Sequence, residues 1–245
     1  MSQHPFILPT PKAHRERHDT IDVYRSAESP EPARVKQPIV VFVHGGPRPP
    51  DVDDWRPRDH PMFVGYGSIV AERGAIGVTV QHHMDTLAHC RTAAEEVAAG
   101  VELARTLPGV DRDRVALWFF SGGGLLTTDW LRNPPSWLTC IALTYPVLDT
   151  VPEWGVDPHV DPVDAVRSVG QLPILLTKVG RERPEFIAGV DAFITAAAEA
   201  EAELDIIDVP EGTHGFDMFD DSPESRDAVT TAIEWVLTTT TRDLP

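Results

Sequence analysis

The sequence is poor in cysteine, in basic residues and in uninterrupted apolar stretches. Only two of its 245 residues are cysteine, Cys90 and Cys140, and they form no C-x-x-C pair. That excludes a disulfide framework and the common cysteine-rich metal and redox motifs, and both residues read as buried thiols in a reducing compartment. Lys and Arg number 21 against 38 Asp and Glu, a formal charge of −17. Such a balance repels phosphate backbones and anionic bilayers, so neither nucleic acid nor a membrane is expected as a partner. No apolar run approaches the about 18 residues of a membrane-spanning helix. The opening MSQHPFILPTPKAHRERHDT carries Pro and charge throughout and lacks the apolar centre of a signal peptide, so a cytoplasmic protein is expected. No glycine-rich phosphate loop of the Walker or Rossmann kind is present, and no cofactor is called for.

What is there is ordinary globular material. Apolar residues make up 42% and glycines number 17, close to the average for a folded domain. A chain of this length buries roughly 70–75% of its unfolded surface. One domain over 1–245 is expected, with 1–37 as an N-terminal extension that includes an edge strand; a homodimer is compatible with this.

Strand and helix signals alternate along the chain. The β-branched run 38–43 suits a strand buried on both faces of a parallel sheet, and it ends at His44-Gly45-Gly46-Pro47. A Pro-, Arg- and Asp-rich loop over 48–61 leads to a helix over 62–73, stopped by Gly74. A second strand over 75–80 precedes a long helix over 85–107, which Pro108-Gly109 ends. The strand 114–120 runs into Ser121-Gly122-Gly123-Gly124, followed by a helix to about Leu131. Strands over 137–145, 173–179 and 204–209 and helices over 184–203 and 223–238 complete the series. Thr20–Arg25 alternates and reads as an antiparallel edge strand, and 26–38 as a surface connection. This order predicts an α/β fold: a mostly parallel central sheet with helices on both faces.

In such sheets the chemistry gathers at the carboxyl ends of the strands. There the sequence delivers the His44-Gly45-Gly46 loop, Ser121, Glu182 and His214, which contains the order Ser, acid, His. A serine hydroxyl is a weak nucleophile until a base takes its proton, and a loop histidine of near-neutral pKa suits that task. At a sharp turn into a helix, Ser121 is surrounded by unpaired N–H groups, so the Gly122 N–H is a natural donor to an oxyanion. The second donor falls to Gly46, with Gly45 next, because Pro47 has no N–H. An ordinary helix cap is the alternative role for Ser121, and a surface loop residue for His214. Glu182 is the acid that follows the strand over 173–179, although flanking Arg181 and Arg183 also allow a plain surface ion pair. Asp149 is the alternative acid and Glu185 a third. His44 is expected to shape its turn rather than act as a base, and it joins Trp55, Tyr145 and Trp154 as candidate pocket residues. His82-His83-Met84-Asp85 with His89 is not expected to hold a metal, because adjacent histidines at a strand end face opposite ways.

Three segments, His44-Gly45-Gly46-Pro47, Phe119-Phe120-Ser121-Gly122-Gly123-Gly124 and Gly212-Thr213-His214-Gly215-Phe216-Asp217, make the chain resemble the α/β-hydrolase family over about residues 38–238. Within it, the chain resembles the small esterases and dienelactone-hydrolase-like proteins. The family's G-x-S-x-G elbow is matched at Ser121 and Gly123, with Phe119 at the first glycine position. The resemblance implies an α/β-hydrolase fold. The connection over 146–172 is too short for a large cap domain. It also implies a serine hydrolase of a small ester or lactone acting through an acyl-enzyme. A prolyl-oligopeptidase-like peptidase, an acyltransferase and a catalytically silent binding protein of the same fold are the alternatives.

Overall fold

The computed structural model describes residues 6–28, 35–52, 55–150 and 152–242. Parts of two expected segments, 29–34 of the connection over 26–38 and 53–54 of the loop over 48–61, lie outside the described residues.

Eight strands form one sheet: β1 (Ala13–His18), β2 (Ile21–Ser26), β3 (Gln37–Val43), β4 (Ile76–Val80), β5 (Val110–Phe120), β6 (Leu138–Thr144), β7 (Ile174–Arg181) and β8 (Leu204–Thr213). Their order is β1-β2-β4-β3-β5-β6-β7-β8. β1 and β2 form an antiparallel hairpin, β2 pairs antiparallel with β4, and β3 to β8 run parallel. The helices are α1 (Pro61–Glu72), α2 (Cys90–Arg105), α3 (Thr128–Arg132), α4 (Pro162–Ala165), α5 (Pro184–Glu199), α6 (Phe216–Phe219) and α7 (Pro223–Thr241). The connection from β6 to β7 holds only short helical turns besides α4.

Side-chain alternation along the central strands divides the core. Val41, Leu117, Phe119 and Ile141 face the layer that contains α2 and α5, an almost wholly aliphatic cluster. Phe42, Trp118 and Phe120 face the other way and join Tyr66 of α1 and Tyr145 in an aromatic cluster that α7 closes. Trp118 donates its indole N–H to Thr144 Oγ1 at 2.8 Å, which satisfies the one polar atom of that ring. Cys90 and Cys140 are both free and buried. Burial pushes their thiols up to about 11 and about 12, so neither is a reactive thiolate.

Several expectations are corrected. The strand expected over Thr20–Arg25 is not the edge; β1 is. β1 carries its inward contacts on charges rather than apolar side chains. Arg15 and Arg17 both pair with Asp22, whose side chain is fully buried. The helix expected from Asp85 starts at Cys90, because Asp85 instead pairs with Arg48 and the His83 N–H donates to Glu96. After Ser121 the chain makes a tight 3-10 run to Thr127 before the five-residue α3.

Candidate active site

Ser121 follows β5 directly and lies in the left-handed region, at φ +53. A non-glycine residue rarely adopts that backbone, and here it lifts the side chain clear of the sheet edge. The turn is held from below by the Val147 N–H, which donates to the Ser121 carbonyl at 2.9 Å. Two glycines permit the close packing. A Cβ on Gly122 would lie 2.2 Å from the Gly46 carbonyl oxygen, and one on Gly123 would lie 2.7 Å from that of His44. The elbow and the His44-Gly45-Gly46 loop therefore touch backbone to backbone, which also explains the tight helical run. Phe119 causes no conflict, since its ring turns into the aliphatic face and is fully buried.

The Ser121 hydroxyl lies 2.6 Å from His214 Nε2. On its other side the imidazole lies 2.5 Å from Glu182 Oε2. An ionised carboxylate only accepts, so Nδ1 carries the proton and Nε2 presents its lone pair to the serine. Sheet register brings the last two residues together: Arg181 of β7 pairs with Thr213 of β8, so the next residue on each strand leaves the same rim. Gly180 lets β7 approach β8 there, because a Cβ would lie 2.2 Å from the Pro210 carbonyl oxygen.

The surface-pair alternative for Glu182 fails on geometry. Arg181 pairs with Glu211, and Arg183 lies over the Phe186 ring, 5.4 Å from its centroid. Glu182 also accepts the Arg183 N–H at 2.8 Å, and its side chain is only 6% exposed against 28% for His214. The alternative acids are elsewhere. Asp149 is exposed and accepts the neighbouring Thr150 N–H, while Glu185 is exposed on the first turn of α5.

His44 is buried and stacks on His82, with ring centroids 3.7 Å apart. Its Nδ1–H donates to the Gly45 carbonyl at 2.6 Å, and Nε2 accepts the His82 N–H at 3.3 Å. Burial, with His82 beside it, holds His44 well below the ordinary histidine value, and burial lowers His82 to about 4. Both rings stay neutral and brace the glycine loop. His83 points outward to Glu96. Among the described residues no group of three or more His, Cys, Asp or Glu is arranged to hold a metal ion.

A cavity of about 270 Å³ opens over Ser121 and His214, with walls from Trp55, Met62, Phe63, Phe120 and Tyr145. Trp154 is not on its wall. It packs on Phe186, which in turn packs on the His214 ring, so Trp154 supports the site from one ring further out. A larger polar cleft of about 570 Å³, with Arg48, Arg58 and Gln81 on its walls, shares Trp55 with the cavity. One further residue beside the site was assigned no role from the sequence. Asp217, three positions after His214, is fully buried. It accepts from the hydroxyls of Tyr66 at 3.0 Å and Tyr145 at 2.7 Å.

No protein-family model matches the sequence, and no curated protein matches it. Solved structures do. An esterase of the planctomycete Thermogutta terrifontis, solved with propionate bound, superposes with a TM-score of 0.72 at 19% identity, over 93% of this chain and 94% of that one. Esterase B of Lactobacillus rhamnosis, inhibited by a tributyrin phosphonate, gives 0.73 at 16% identity over 95% and 88%. The dipeptidyl peptidase 4 of Porphyromonas gingivalis gives 0.68 at 14% identity, over 93% of this chain but 35% of that one. The fold is that of the α/β hydrolases. Among the described residues the connection from β6 to β7 holds no large cap domain, as its length predicted. Among the described residues no helix is long and apolar enough to cross a membrane.

Proposed function

We propose that the protein is a serine hydrolase that cleaves small carboxylic esters or lactones through an acyl-enzyme. The observation that carries the reading is the continuous line from Ser121 through His214 to Glu182, with contacts of 2.6 and 2.5 Å. Ser121 Oγ attacks the carbonyl carbon while His214 Nε2 takes its proton. Glu182 holds the imidazole in the Nδ1–H form and stabilises the imidazolium. The oxyanion is received by the Gly122 N–H and by that of Gly46, with Gly45 as the neighbouring alternative. His214 then gives its proton to the departing alcohol oxygen. Water, deprotonated by the same imidazole, attacks the acyl carbon and releases the acid and Ser121.

The cavity of about 270 Å³ with largely apolar walls suits a short acyl group. The parent protein is expected to hydrolyse p-nitrophenyl acetate and butyrate, and Ser121→Ala to reduce turnover at least about 10³-fold. Unchanged turnover in a folded Ser121→Ala variant contradicts the proposal. Likeness to a dipeptidyl peptidase supports a second reading, peptide cleavage, which the same three side chains can perform. Turnover of aminoacyl-peptide substrates at a kcat/KM above that of esters favours it.

A further inference from the structure

Asp217 is, among the described residues, the one buried carboxylate near the site that the acyl-transfer scheme does not use. Among the described residues it has no Lys or Arg partner, and its side-chain partners are phenols from distant elements, Tyr66 of α1 and Tyr145 after β6. Tyr145 is itself held in an unusual backbone, at φ +37, with its N–H donating to the Thr177 carbonyl at 3.0 Å. Its ring centroid lies 4.9 Å from that of His214, and Phe186 lies 5.6 Å away from the same imidazole. Between His214 and Asp217 the chain turns through Gly215, at φ +78.

We propose that Asp217, through Tyr66 and Tyr145, is a positioning residue that clamps the His214 loop and keeps the imidazole between Ser121 and Glu182. The loop leaves a strand at the open end of the sheet, and the His214 side chain is 28% exposed. The carboxylate supplies two anchors at once: one to α1, which belongs to the aromatic layer, and one to the phenol whose ring abuts the imidazole. Without them the ring can swing away during the two proton transfers, and a displacement of about 1 Å is enough to cost about 10²-fold in rate. Charge around Asp217 is sparse. Tyr66, Tyr145 and His214 are the titratable groups that face it, with Glu182 further off beside Tyr145. Burial pushes the Asp217 carboxyl up to about 6, a measure of what this placement costs the fold.

The inference rests on the hydrolase reading for its kinetic consequences but not for its structural one. Asp217→Asn keeps the shape and one acceptor. It is expected to lower kcat on p-nitrophenyl butyrate about 10- to 100-fold with KM within about twofold, and to slow fluorophosphonate labelling of Ser121 in parallel. Tyr66→Phe removes a hydroxyl that does not line the cavity, and is expected to lower kcat severalfold. The double variant should be no slower than Asp217→Asn alone, because both act through one carboxylate. The His214 Nδ1–H resonance is expected to be sharp in the parent and to broaden in both single variants. Parent-like kcat and an unchanged resonance in folded variants overturn the clamp, as do losses that multiply independently. Should Asp217→Asn not fold, Tyr66→Phe decides by the same two readouts. A parent that turns over no ester, while the resonance still broadens in the variants, overturns the hydrolase reading and leaves the clamp standing.

Discussion

The two halves of the site are held by opposite means. On the nucleophile side, Ser121 is fixed by backbone against backbone. Gly122 and Gly123 sit so close to the His44-Gly46 loop that no side chain fits, and neutral His44 and His82 stack beneath. On the base side, Glu182 and His214 leave the strands β7 and β8 near the sheet edge, and side-chain contacts hold them: Glu182 itself, two flanking rings and the Asp217 phenols. The first arrangement leaves no room for a side chain between the two backbones. The second depends on individual side-chain contacts, so single substitutions can loosen it.

The largest effect should come from breaking the base side at its acid. Glu182→Gln is expected to lower kcat about 10³- to 10⁴-fold, because an amide can present a donor to Nδ1 and stabilise the wrong tautomer. Glu182→Asp should retain more, losing about 10- to 100-fold, since the charge persists but sits one methylene short. Equal losses in the two variants, measured with p-nitrophenyl butyrate, contradict the role assigned to the charge.

On the nucleophile side the sensitive position carries no chemistry of its own side chain. In Gly122→Ala the new methyl meets the Gly46 carbonyl at 2.2 Å, so one backbone must move. A loss of stability of roughly 1–3 kcal/mol is expected, together with a fall in kcat as the oxyanion donors separate. A urea melt and a kcat measurement on the same sample check both, and an unaffected variant contradicts the close packing.

The smallest effect separates the halves by pH. His82 is held at about 4, below its ordinary 6.5, so between those values the unfolded chain binds a proton that the native chain refuses. Its contribution to stability is complete above pH 6.5 and declines as the pH falls toward 4. Asp217, raised from 3.8 to about 6, has the opposite sign: the native chain keeps a proton that the unfolded chain has lost, so acidification through 6 is stabilising. Asp217→Asn removes only the second contribution. Its stability should fall more steeply from pH 6.5 to 4 than the parent's, and parallel urea-midpoint curves contradict this assignment.

Much of this was legible from local pattern. Ser121 and His214 each follow an apolar strand and are marked by glycines, so their arrival at one rim follows from strand order. Glu182 was preferred to Asp149 from its place after a strand, but the register that carries it to His214, Arg181 against Thr213 across β7 and β8, has no signal in the sequence. Asp217 ends the segment that carries the resemblance, but its role was not legible there, since its partners are 151 and 72 residues away. β1 escaped notice for a different reason: it is held by arginines on a buried Asp22, and apolar alternation does not detect ion pairs. The tight run after Ser121 is likewise set by a neighbouring loop rather than by helix propensity.

Covalent labelling with a fluorophosphonate, followed by peptide mapping, tests the convergence of Ser121, His214 and Glu182 most directly. The account predicts one equivalent of label, on Ser121, absent in Ser121→Ala and strongly slowed in Glu182→Gln. Label on a different residue, or ester turnover that persists while Ser121 stays unmodified, contradicts it.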